Sequence, residues 1–154
     1  MAWAIDAALA SGLPVYVVHG AADLTEVARE RGAIAVPNPR HAEGLATSLH
    51  IGLDAVGLDG FGVAIVGLGD QPGILARTWS ALAAARSPIA VATYDGERGN
   101  PVRLEAQVWP LLPVGGDEGA RSLLLERPDL VTEVPSLGSP ADVDTPSDLE
   151  GWTP

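Results

Sequence analysis

Gly62-Val63-Ala64-Ile65-Val66-Gly67, running on into Leu68-Gly69-Asp70-Gln71-Pro72, is the stretch on which the fold turns. Six residues without a polar side chain suit a strand covered on both faces, the habit of a parallel sheet. Asp70 follows at the carboxyl edge, where open α/β sheets bind their ligands. Working outward, Leu75, Trp79 and Leu82 recur at helical spacing after the strand. Before it, Leu45, Leu49, Leu53 and Val56 do the same, with His50 and Asp54 on the other side, which predicts an amphipathic helix lying on a sheet. Further upstream, Val15-Tyr16-Val17-Val18-His19 is a second buried strand, bounded by Pro14 and Gly20. Asp23-Leu24-Thr25-Glu26 has the letters of a capping box and predicts a helix that Gly32 ends, before a further strand over 33–36. The chain opens in an Ala-rich helix that stops at Ser11-Gly12.

Downstream, 89–94 reads as a strand, and Asp95-Gly96 can turn the chain. Residues 101–104 are then extended after a flexible Gly99-Asn100. A helix over 119–126 and a strand over 131–134 follow, and Thr145-Pro146-Ser147-Asp148 is a second capping box. Strands alternating with helices predict one α/β domain over 1–154, three-layered, with a mostly parallel sheet. Such folds usually open with a strand whose turn into a helix cradles phosphates, whereas this chain begins at the helix. The expected domain is therefore N-terminally incomplete and lacks its first strand, unless strand exchange makes it a homodimer.

The 154 residues carry 20 acidic and 9 basic side chains, a formal charge of -11, and every basic residue is Arg. That balance excludes a non-specific grip on nucleic acid, which depends on a dense basic face. With no Cys, thiolate metal sites, disulfides and a Cys nucleophile are excluded. No apolar stretch approaches the ~20 residues of a membrane span, so the expected location is cytoplasmic with no membrane partner. His19, His41 and His50 show no metal-ligand spacing, and Trp3, Trp79 and Trp109 are expected in the core.

Asp70 is either a ligand-facing carboxylate or the cap of the next helix. Asp142-Val143-Asp144 places both acids on one side of an extended segment, as a solvated acidic turn or as oxygen ligands to a hard cation. Asp70 with Asp144 would suit Mg²⁺, which takes one or two carboxylates, substrate phosphates and water. The loop 38–44 leads into the helix carrying Ser48, and its free amides could hold an anion, with Arg40 assisting or merely solvated. Arg98 is a candidate phosphate contact and Asn100 a hydrogen-bonding group for a base or pterin, although a surface hairpin accounts for the same letters. Asp117 stands one helical turn from Arg121, the spacing of a local ion pair.

Taken in order, five segments resemble the molybdenum cofactor nucleotidyltransferases, particularly their cytidylyltransferase branch. They are Asn38 with Glu43-Gly44 and Ser48-Leu49, Gly69-Asp70-Gln71-Pro72, Arg98-Gly99-Asn100-Pro101-Val102, Gly116-Asp117-Glu118-Gly119-Ala120-Arg121, and Asp142-Val143-Asp144-Thr145-Pro146-Ser147-Asp148-Leu149. The resemblance implies a Rossmann-like fold of the nucleotide-diphospho-sugar transferase type. It also implies Mg²⁺-dependent transfer of CMP from CTP, in preference to GMP from GTP, to the phosphate of molybdopterin, releasing pyrophosphate. On that resemblance Asp70 and Asp144 are the catalytic metal ligands. Asn38, Gly44, Ser48, Gln71, Pro72, Arg98 and Asn100 bind substrate, and a molybdoenzyme or its chaperone is the partner. Asn100 stands where many relatives carry His, and the family's opening Gly-rich turn with its Lys is absent. Two alternatives stay open: a non-catalytic relative acting as a cofactor-binding module, and a nucleotidyltransferase with another phosphorylated acceptor.

Overall fold

The computed structural model describes residues 1–143, so Asp144 and the Thr145-Pro146-Ser147-Asp148 capping box lie outside the described residues. In chain order the elements are α1 (Ala2–Leu9), β1 (Tyr16–His19), α2 (Thr25–Arg31), β2 (Ile34–Pro37), α3 (Leu45–Leu58), β3 (Val63–Val66), α4 (Ala76–Ala84), β4 (Ile89–Tyr94), β5 (Glu97–Glu105), α5 (Arg121–Glu126) and β6 (Val131–Pro135). Within the described residues the predicted strands and helices are present, most with ends shifted by a residue or two, while β5 begins four residues ahead of the 101–104 expected of it. At α2 the Asp23 carboxylate accepts the Thr25 N–H at 2.9 Å, and Gly32 ends the helix at φ 79. Unpredicted from the sequence is a 3₁₀ helix over Ala106–Leu111, which carries Pro110 inside it.

β1 and β2 pair in parallel. The second sheet has the order β3-β5-β4-β6, in which β4 and β6 are parallel and β5 runs antiparallel to both β3 and β4. Thus β3, β4 and β6 point one way and only β5 opposes them. The reversal is made at Asp95 (φ 51) and Gly96 (φ 88), the pair of positive-φ residues that matches the twist of a two-residue hairpin. Gly99-Asn100, expected to be flexible, lies inside β5. Val91 pairs with Val102 and Ala92 with Gly99, so Asn100 and Pro101 are left out of that ladder. Pro has no N–H to give to it, and such irregularities re-aim side chains near sites.

Helices cover both faces. Leu49 and Leu53 of α3, with Leu123 and Leu124 of α5, pack on Ala64, Ile89, Val91, Val102 and Leu104. On the other face Leu82 of α4 meets Ala90, Ala92 and Tyr94, while Ile5 of α1 and Ala28 of α2 cover Val17 and Ala33. Every residue of β4 is buried. Beneath the end of β3, a Cβ on Gly67 would lie 2.6 Å from the Trp79 ring, so only Gly admits that indole. The Trp79 indole N–H is buried and has no acceptor among the described residues.

Among the described residues no strand lies between β1 and β3, and each has one unpaired edge. α3 packs on both, with a Cβ on Gly52 falling 3.0 Å from Val18. β3 lacks the full cover expected of it, since Val63 is 38% exposed. At the amino end of this interruption the Tyr16 hydroxyl donates to the Asp59 carboxylate, tying β1 to the end of α3. No helix among the described residues is long and apolar enough to cross a membrane.

Candidate functional site

Asp70 leaves the carboxyl end of β3 exposed to solvent, as a strand-end carboxylate must be to meet a ligand. It lines a cavity of about 170 Å³ with Met1, Trp3, Gly69, Pro72 and Val143. Trp3, expected in the core, is instead 38% exposed at this cavity, because the amino end of α1 comes up beside the end of β3. A shallow depression of about 420 Å³ between Leu53, Asp54, Gly57, Leu58 and Trp109 is larger. It offers Asp54 as its one charged group and lies at the opposite, amino edge of the sheet, so the smaller cavity is the candidate site.

Segment 138–143 returns along the residues that follow β3. Ser139 N–H donates to Gly73 O at 3.0 Å and Val143 N–H to Asp70 O at 2.8 Å. Gly73 makes the approach possible, since a Cβ there would stand 2.7 Å from Ser139 O. Gln71, only 6% exposed, donates from Nε2 to Asp142 Oδ1 at 2.8 Å and accepts at Oε1 from Asn100 Nδ2 at 3.1 Å. The Tyr94 hydroxyl donates to Asn100 O at 2.7 Å, and burial pushes that phenol's pKa up. Three of the resembling segments, separated widely in sequence, therefore converge on the end of β3. Asp142 is the member whose contact the sequence did not disclose.

Asn38, Gly44 and Ser48 form a second group. α3 runs back from the carboxyl end of β2 to the amino end of β3, which puts Asn38 on the same sheet edge as Asp70. Asn38 is 2% exposed, and its amide donates to Thr47 Oγ1 at 3.0 Å and Ser48 Oγ at 2.8 Å while accepting the Arg40 N–H at 2.8 Å. The amides expected to be free for an anion are taken up by protein. Leu45 N–H donates to Asp117 Oδ1 at 3.1 Å, Ala46 N–H to Gly116 O at 3.0 Å and Thr47 N–H to Gly44 O at 3.2 Å. Asp117 thus caps α3 from afar rather than pairing with Arg121. Gly44 is needed for that contact, as it sits at φ 113 and a Cβ on it would be 2.7 Å from Gly116 O.

Arg98 lies on β5, and its Nε donates to Glu133 Oε1 of β6 at 2.8 Å, across β4. Arg40 pairs with Glu43 at 2.7 Å on the surface, which holds that carboxyl below and the guanidinium above their usual ranges. No group of three or more His, Asp or Glu that could hold a metal exists among the described residues. What this cavity offers a divalent cation is the exposed Asp70 carboxylate in its lining. That suits Mg²⁺, which keeps several waters and takes substrate phosphates, and does not suit an all-protein metal cage.

The sequence profile of the MobA-like NTP transferase domain matches residues 1–131. No curated protein matches the chain by sequence. Among solved structures, Rv0371c of Mycobacterium tuberculosis H37Rv, in complex with manganese, superposes with a TM-score of 0.77 at 23% identity over 98% of this chain and 84% of that one. A nucleotidyl transferase from Methanothermobacter gives a TM-score of 0.79 at 20% identity, covering 98% and 78% of the two chains. A CMP:2-keto-3-deoxy-manno-octonic acid synthetase complexed with CTP gives 0.67 at 16% identity, covering 97% and 83%. At these identities the likeness is one of fold, and the fold is that of Rossmann-like α/β nucleotidyltransferases.

Proposed function

The chain belongs to the MobA-like NTP transferase domain family and is a nucleotidyltransferase, and from that premise we propose its substrates. It transfers CMP from CTP, in preference to GMP from GTP, to the terminal phosphate of a molybdopterin-type cofactor in the cytoplasm. A molybdoenzyme or its chaperone then receives the product. The observation that carries the proposal is the convergence of Asp70, Gln71, Pro72 and Asn100 on one strand end beside a cavity. The preference for CTP is supported by the Gly69-Asp70-Gln71-Pro72 and Gly116-Asp117-Glu118-Gly119-Ala120-Arg121 segments.

An oxygen of the acceptor's phosphate attacks the α-phosphorus of the nucleotide. The bond from the α-phosphorus to the bridging oxygen breaks, and pyrophosphate leaves with its electron pair. The attacking oxygen is already ionised, so no protein base is required. Positioning and charge neutralisation do the catalytic work in transfers of this kind. Asp70, with Asp144, would hold Mg²⁺, which when bound supplies the positive charge that this acidic chain lacks. Asn38, Gly44 and Ser48 shape the wall on the side of α3, and Arg98 and Asn100 face the acceptor from β5. We infer that a further strand completes the domain, which the unpaired edges of β1 and β3 support.

The test is pyrophosphate release from CTP or GTP with Mg²⁺ and molybdopterin. Asp70→Asn keeps the shape while removing charge and should lower turnover at least tenfold, with little change in melting temperature. Equal turnover by the parent and Asp70→Asn would refute the metal assignment, and release that needs no molybdopterin would refute the acceptor.

A further inference from the structure

We propose that Gln71 is a positioning residue. Its amide clamps Asp142 and thereby holds segment 138–143 against the strand end that presents Asp70. The inference rests on the metal-binding role proposed for Asp70 and assigns Asp142 to the clamp instead of to the metal.

The orientation of the clamp follows from the chemistry of its members. An ionised Asp142 carboxylate can only accept, so the Gln71 NH₂ faces it at 2.8 Å. That leaves Gln71 Oε1 for the Asn100 NH₂ at 3.1 Å, with the Asn100 carbonyl held in turn by the Tyr94 hydroxyl at 2.7 Å. A side chain with a donor at one end and an acceptor at the other is required, and Gln meets that need at this reach. With Gln71 only 6% exposed, water does not readily replace either bond. The clamp also sits beside the backbone bond from Val143 N–H to Asp70 O at 2.8 Å, so slackening one loosens the other. Groups that orient a metal ligand without touching the metal commonly cost ~10–100-fold in metal affinity when removed.

Two substitutions and two measurements decide the matter in the full chain. Gln71→Met keeps the side-chain length and deletes both hydrogen bonds, whereas Asp142→Asn keeps an acceptor for Gln71 and deletes the charge. Hydrogen exchange at Val143, followed by mass spectrometry, should quicken about tenfold in Gln71→Met and little in Asp142→Asn, since Val143 reports the clamp directly. Mn²⁺ affinity, read from the paramagnetic resonance of the free ion, should weaken ~10–100-fold in Gln71→Met and less than about threefold in Asp142→Asn. Parental exchange and Mn²⁺ affinity in Gln71→Met would overturn the proposal. Loss of Mn²⁺ binding in Asp142→Asn equal to that in Asp70→Asn would overturn it too, by making Asp142 a ligand. A parent chain that binds no Mn²⁺ would remove the metal role on which the proposal rests, while Val143 exchange would still decide whether the clamp exists.

Discussion

The phenol of Tyr16 and the carboxylate of Asp59 meet across 43 residues of chain. The hydrogen bond to Asp59, with burial and the nearby negative charge, holds the Tyr16 pKa up to about 12. Because the folded chain favours the protonated phenol, its stabilisation is complete below the ordinary value of ~10 and is lost as pH rises towards about 12. Tyr16→Phe should accordingly flatten the alkaline fall in melting temperature over that interval, and an unchanged slope would show that the pair does not form. Legibility also varied residue by residue. Asp70 was readable because a lone carboxylate ends an apolar run. Asn38 was readable as polar and special but not as buried, since its partners Thr47 and Ser48 are set by how α3 docks. Asp142 and Gln71 are 71 positions apart, and nothing local to either announces the other.

At the level of elements, periodicity carried most of the fold. β4 and β3 are short apolar runs, and α3 has its leucines at helical spacing, so each was evident before any packing was known. β5 was less so because Glu97, Arg98, Asn100 and Arg103 interrupt its apolar pattern, and its pairing with β3 is a property of the sheet rather than of the strand. The start of α3 shows the same limit. Its first amide is satisfied by Asp117, 72 residues away, so the letters around Gly44 suggested an open anion site where the fold supplies its own carboxylate. Asp117→Ala should therefore cost about 1 kcal/mol of stability, the usual worth of a lost helix cap, although the residue is remote from α3 in sequence. Denaturant titration would measure it, and no loss would mean that the cap is made by water.

For the molecule as a whole, the decisive feature is a sheet interrupted between β1 and β3. The order of the elements leads one to expect a strand ahead of α1, and β1 and β3 each carry an unpaired edge. Unpaired strand edges solicit other chains, so the 154-residue chain should associate as its concentration rises. Its β1 and β3 amides should also exchange hydrogen faster than those of β4, which is paired on both sides. An N-terminal extension supplying an apolar strand should slow that exchange and raise the melting temperature, whereas equal protection of β1, β3 and β4 in the short chain would refute the interruption. The indole of Trp79 turns the same region into something that can be watched. Seated beneath Gly67 with its N–H buried, the half-buried ring lies directly under the strand that leads to Asp70. In a variant retaining Trp79 as its sole tryptophan, fluorescence should be blue-shifted and poorly quenched by iodide when the sheet is whole, and should redden as it opens, giving an optical gauge of sheet closure that needs no ligand.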